Sequence, residues 1–144
     1  WMDEFRPPDD VQERLAAAAP PGLEIKSVRD VPLSDDALQV QMSASEFEVE
    51  FFDPQDPEIL KEKVRSLLAE DEIIRTRRKK TYDLRPLIQT LEIAWLEDDE
   101  PGLRMRLSAE PGATGRPDEV LDAMGYQNTQ YLVKRTQFYL FGEL

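Results

Sequence analysis

Residues 91–107 read LEIAWLEDDEPGLRMRL. Leu91, Ile93 and Trp95 alternate with Glu92 and Ala94, and Leu103, Met105 and Leu107 alternate with Arg104 and Arg106. A period of two marks a half-buried strand, because successive side chains leave a strand on opposite faces. Between the two runs stands the acidic turn Glu97-Asp98-Asp99-Glu100-Pro101-Gly102. Two alternating runs about a short polar Pro-Gly loop predict a β-hairpin, and so an antiparallel sheet with one apolar face.

Working outward, Glu46-Phe47-Glu48-Val49-Glu50-Phe51 also alternates and predicts a strand with Phe47, Val49 and Phe51 inward, ended by Asp53-Pro54. Ile59, Leu60, Val64, Leu67 and Leu68 predict one buried face of a helix over 56–69. Ile73-Ile74 opens a second strand that runs into a basic stretch. Residues 110–115 are a loop, Pro117 begins a short helix with Val120, Leu121 and Met124 on one face, and Gly125 caps it. Residues 130–140 alternate again and close the chain as a strand. With the irregular 79–88 stretch merged, the order is β-α-β-β-α-β, the ferredoxin-like order, an α+β two-layer sandwich with helices on one face of the sheet.

Upstream, Asp9-Asp10 caps a helix running to about Ala19, with Val11, Leu15 and Ala18 or Ala19 on its apolar side. Pro20-Pro21-Gly22 breaks it, and Leu23, Ile25, Val28 and Val31 predict a short strand near 23–31. This helix and strand read as the tail of a preceding half of the same kind. The expected division is therefore residues 1–44 as that remnant plus a linker, and 45–144 as the ferredoxin-like domain. The start at Trp1-Met2 reads as a fragment or a processed chain.

Composition removes whole classes of chemistry. The chain has no cysteine and no histidine among its 144 residues. Disulfides, thiolate metal sites, an iron–sulfur cluster held by cysteines, and Ser-His-Asp or Cys-His catalysis are impossible within it. No cofactor and no metal are expected; Asp98-Asp99-Glu100 could hold a hard cation weakly, but lacks the spacing of a calcium loop. The 40% hydrophobic content is enough for a packed core. A net charge of −12 repels phosphate backbones and favours a soluble, cytoplasmic protein. No apolar run approaches the ~20 residues that a membrane helix needs.

Four stretches carry candidate chemistry, and each has a structural alternative. Arg75-Thr76-Arg77-Arg78-Lys79-Lys80 concentrates five of the 18 basic residues. Along one strand, Arg75, Arg77 and Lys79 would face one side and Arg78 and Lys80 the other. Such a run contacts anions or RNA, or it is a charged edge strand that discourages aggregation. In Tyr82-Asp83-Leu84-Arg85-Pro86-Leu87-Ile88, Arg85 either presents a fork to an anion or pairs with Asp83 as a brace. Pro86 is expected to hold Arg85 extended, and Leu84, Leu87 and Ile88 to pin the segment into the core. Gly112-Ala113-Thr114-Gly115-Arg116-Pro117 is a glycine loop before a helix, without a Walker lysine, with Arg116 the residue of interest. On the last strand, Tyr131, Lys134, Arg135, Gln137 and Tyr139 interleave aromatic and polar groups that either stack RNA bases or pack. The candidate binding residues are Arg75, Arg77, Arg78, Lys79, Lys80, Arg85, Arg116, Lys134 and Arg135. No catalytic residue is identified.

The segments PPGLEIKSVRDVPL (20–33), KKTYDLRPLIQTLEI (79–93), GATGRPDEVLDAMGY (112–126) and YLVKRTQFYL (131–140) occur in this order. Together they resemble the C-terminal part of the bacterial radical-SAM-linked protein family, a domain of unknown function. The resemblance covers Pro20 to Leu140. It implies a module of two ferredoxin-like halves, of which most of the first would lie before Trp1. It also implies a radical-SAM enzyme as partner, fused or separate, often with a cobalamin-binding region, and a link to RNA through neighbouring ribonuclease genes. The expected function is a noncatalytic accessory domain that docks with, or presents substrate to, that enzyme. The alternative is an RNA-binding module acting in RNA modification or processing, and an independent enzyme is disfavoured by the missing histidine and cysteine.

Overall fold

A computed structural model describes residues 5–141, without the side chains of Leu38, Gln39 and Asp98. The last of these belongs to the acidic turn, so its role as a cation ligand lies outside the described residues. The chain divides into two compact units, one ending at Asp36 and one beginning at Ala37.

In the first unit, α1 (Pro8–Ala18) starts with Pro8 at its first position and Asp9 and Asp10 in its first turn. The expected aspartate cap is absent; Pro7 precedes the helix without a side-chain cap. Asp10 instead accepts from Arg6 and Arg14, each at 3.3 Å, one turn to either side. The helix ends at Pro20-Pro21-Gly22, where Leu23 N–H donates to Pro20 O at 3.1 Å and Gly22 adopts φ +89. The strand expected at 23–31 is not formed. Leu23 and Val31 stay exposed, and a strand with no neighbour to pair leaves its backbone to water rather than to a ladder.

The second unit is built on β1 (Met42–Phe51), β4 (Ile88–Trp95), β5 (Pro101–Glu110) and β7 (Tyr131–Leu140). Their order in the sheet is β4-β5-β1-β7, and each adjacent pair is antiparallel. The hairpin read from residues 91–107 is present, with Leu91 opposite Met105 and Ile93 opposite Leu103. β1 begins four residues before the alternating stretch, because Ser43, Ala44 and Ser45 are buried although none is large. A register shift between Glu46 and Phe47 marks a bulge against β7.

A short helix, α2 (Leu38–Gln41), precedes β1, and helices α3 (Pro57–Leu68) and α4 (Pro117–Ala123) supply the second layer. Asp56 caps α3 by accepting from Glu58 N–H at 2.8 Å. Leu60, Val64 and Leu67 point into the core at the i, i+4, i+7 spacing, whereas Ile59, one residue off that stripe, is exposed. α4 ends as the sequence predicts. Gly125 sits at φ +94, its N–H donates to Asp122 O at 3.1 Å, and Tyr126 N–H reaches Leu121 O at 2.9 Å. This double closure needs a left-handed residue that glycine adopts without penalty. The core gathers Val49, Phe51, Leu103, Met105 and Leu107 from the sheet and Leu60, Val64, Leu67, Val120 and Leu121 from the helices. Phe47 and Ile93 pack at its margin half-buried.

One hairpin stands apart from the main sheet. β2 (Ile74–Arg77) pairs with β3 (Lys80–Asp83), so the chain reverses at Arg78-Lys79. The basic run therefore does not lie along a single strand. β6 (Ala113–Thr114) adds a short pairing to β5 around Pro111-Gly112. No helix among the described residues is long and apolar enough to cross a membrane.

Candidate functional site

The β2–β3 turn places two bulky cations where a hairpin ordinarily carries glycine or asparagine. Arg77 pairs with Lys80 across the ladder, leaving Arg78 at φ +49 and Lys79 at φ +66. Side chains with a Cβ pay for a left-handed backbone, and the type I′ hairpin turn formed here requires it at both centres. Arg75 and Arg77 turn toward α4. Arg75 lies 3.6 Å from Asp122. The Arg77 guanidinium grips Glu119 through Nε at 2.8 Å and Nη2 at 2.7 Å, and also reaches Tyr82 Oη and Thr114 O. The Glu119 hydrogen bonds hold the Arg77 pKa above its ordinary value. These two arginines brace the hairpin against α4, and Arg78, Lys79 and Lys80 remain without an ion pair among the described residues. Arg78 and Lys80 line a cavity of about 490 Å³ with Tyr82, Asp83, Gly112, Ala113 and Thr114.

Arg85 is a brace as well. Its guanidinium donates to Leu68 O at 3.2 Å and Ile88 O at 3.5 Å. It does not pair with Asp83, whose Oδ1 accepts instead from the N–H groups of Ile73 at 2.7 Å and Arg85 at 3.0 Å. That carboxylate closes a turn, so Arg85 enters a 3₁₀ turn over Arg85–Leu87 rather than the extended form expected before Pro86. Leu84 and Ile88 are buried on either side, as read from the sequence.

The sheet face away from α3 and α4 carries a charge ladder that sequence reading did not single out. Register sets Glu92, Arg104, Glu48 and Lys134 in one row across β4, β5, β1 and β7. Arg104 donates to Glu48 at 2.9 Å and lies 4.0 Å from Glu92. The Glu48 hydrogen bond raises the Arg104 pKa. In the next row, Arg106 lies 3.6 Å from Glu46, donates to Tyr139 Oη at 2.8 Å, and stacks 4.1 Å from the Tyr139 ring centroid. Tyr139 is thus engaged by its own sheet. At the end of this face, Trp95 (60% exposed), Leu96 and Leu132 join Glu48, Glu50, Glu97 and Lys134 around a cavity of about 280 Å³. A Cβ on Gly102 would meet Val49 O and Leu96 Cδ1, so glycine lets Leu96 fold over the strand here. The alternation of Glu46, Glu48 and Glu50 with Phe47, Val49 and Phe51, and of Arg104 and Arg106 with Leu103 and Met105, was the signal for this face.

Lys134 and Arg135, adjacent in sequence, part company. Lys134 lies on the ladder face, whereas Arg135 stands opposite Phe47 and faces the helix side. There it meets Arg116 over a cavity of about 500 Å³. No group of three or more carboxylates placed to hold a metal ion occurs among the described residues.

A protein-family model described as "Uncharacterized protein conserved in bacteria (DUF2344)" matches residues 2–117. No curated protein and no solved structure matches the chain.

Proposed function

This chain belongs to the family of uncharacterized proteins conserved in bacteria (DUF2344), and from that membership we propose a noncatalytic accessory domain that docks with, or presents substrate to, a radical-SAM enzyme, fused or separate. The sequence resemblance described above supplies the partner. The observation that carries the reading is the sheet face away from α3 and α4. Its arginines are already neutralised by Glu46, Glu48 and Glu92, and at its end the exposed Trp95 and Leu132 line one cavity. Internally paired charges desolvate at lower cost than free ones, and an exposed tryptophan is the kind of anchor on which protein interfaces concentrate their energy. With no histidine or cysteine in the chain, the chemistry belongs to the partner.

The second unit is read as ferredoxin-like, with the β2–β3 hairpin inserted between α3 and β4. Support comes from β1 standing between β5 and β7, and from antiparallel pairing throughout the four-strand path. Residues 1–44 are then the remnant of a preceding half and 45–144 the domain, acting in the cytoplasm.

Sedimentation velocity on the purified chain mixed with the radical-SAM enzyme tests the docking. A defined complex is expected, and Trp95→Ala with Leu132→Ala weakens it about tenfold or more. Two species sedimenting independently would sink the reading. A second reading, an RNA-binding module, is favoured by Arg78, Lys79 and Lys80 at the hairpin tip, which have no ion pair among the described residues. Its contacts are with phosphates, so binding of a short single-stranded RNA falls steeply with salt. No binding at low salt removes it.

A further inference from the structure

Nine arginines lie in the second unit. Arg65, Arg75, Arg77, Arg104 and Arg106 each reach a carboxylate, and Arg85 is held by two carbonyl oxygens. Arg78, Arg116 and Arg135 have no hydrogen bond or ion pair among the described residues. Two of these three, Arg116 before α4 and Arg135 on β7, face the same cavity of about 500 Å³. The lining of this cavity contains no aspartate or glutamate, whereas each of the other three cavities described has at least one.

The rest of the lining is complementary. Val40, Met42, Phe47, Pro111 and Pro117 form apolar walls. Ser45, only 4% exposed, adds a hydroxyl-bearing residue to the same lining. Gly115 keeps the loop low beside it: a Cβ there would press on Leu107 Cβ at 3.1 Å.

We propose that this cleft binds a nucleotide, that is, a phosphomonoester on a flat, largely apolar body. Two guanidinium groups match the double negative charge of a terminal phosphate, where a carboxylate would answer only one. The ring lies against Phe47 and the prolines, and the Ser45 hydroxyl hydrogen-bonds within the cleft. The volume is in the range of small-molecule sites. A free nucleotide and the phosphorylated end of an RNA strand offer the same chemistry. The site lies on the opposite side of the sheet from the docking surface, and either holds without the other.

The test is a titration of the isotope-labelled chain with AMP and UMP, followed by amide chemical shifts. Saturable shifts are expected at Ser45, Phe47, Thr114, Arg116 and Arg135. The nucleoside without phosphate and inorganic phosphate alone each bind about tenfold more weakly or worse. Arg116→Gln and Arg135→Gln each lower nucleotide affinity about tenfold while leaving the rest of the spectrum in place, since both side chains are exposed. Ser45→Ala lowers it less. Tighter binding of a short RNA bearing a 5′-phosphate than of AMP assigns the source to RNA; equal or weaker binding assigns it to free nucleotide, and both uphold the site. Inorganic phosphate binding as tightly as AMP, shifts confined to the Arg78-Lys80 tip, or undiminished affinity in both arginine variants would overturn it.

Discussion

Tyr126 buries its hydroxyl with no hydrogen-bond partner among the described residues, while its ring does useful packing. The ring lies 5.0 Å from that of Phe51, and the Lys63 ammonium sits 4.1 Å from its centroid. Burial pushes the phenol pKa above its ordinary 10.0. A group whose folded pKa is raised contributes stability that is fully present below its unfolded value and is lost as pH rises through the folded one. Part of the protein's stability therefore fades above about pH 10. Tyr126→Phe keeps the ring, removes the unpaired oxygen, and is expected to be neutral or stabilising by up to about 1 kcal/mol. It also makes the alkaline loss shallower. Urea melts at pH 8 and pH 10.5 check both, and a variant less stable at pH 8 would mean that the hydroxyl is bonded after all.

The β2–β3 hairpin shows an element formed against its local preference. Nothing in Arg75-Thr76-Arg77-Arg78-Lys79-Lys80 signals a two-residue turn, which asks for Asn-Gly or a similar pair. The hairpin is held from outside, by Arg77 on Glu119, Arg75 near Asp122, and Leu84 N–H on Ile73 O at 2.7 Å. The strain at Arg78 and Lys79 is removable. Arg78→Asn with Lys79→Gly is expected to raise stability by about 1–2 kcal/mol, read as a higher urea midpoint with an unchanged slope. If the RNA reading holds, the same variant binds RNA more weakly, which separates the charge of the tip from its geometry. A lower midpoint would show that these side chains stabilise the fold through contacts of their own.

At the scale of the molecule, one core joins two helices to one face of four strands, and Phe51 is its test. It is 9% exposed, at the end of β1, against Tyr126. Phe51→Ala is expected to cost about 3–5 kcal/mol in chemical denaturation; a midpoint unchanged by it would remove Phe51 from the core. The sequence by itself determined the antiparallel β4–β5 hairpin, the inward set Val49, Phe51, Leu103, Met105 and Leu107, both core helices and the Gly125 cap. In each case the signal is local: a strand alternates with period two, a helix repeats every three to four residues, and a left-handed cap wants glycine. Local too is the chemistry that the missing histidine and cysteine forbid. Only tertiary structure decided that 23–31 stays unpaired, that the basic run folds back on itself, and that Lys134 and Arg135 serve opposite faces. Those outcomes depend on which strand finds a partner, on where α4 offers Glu119 and Asp122, and on the register that sets Arg135 beside Phe47. Partners distant in sequence leave no period to read. Arg116 and Arg135 lie 19 positions apart, and only the packing of β7 beside β1, next to the start of α4, brings both to one acid-free cleft.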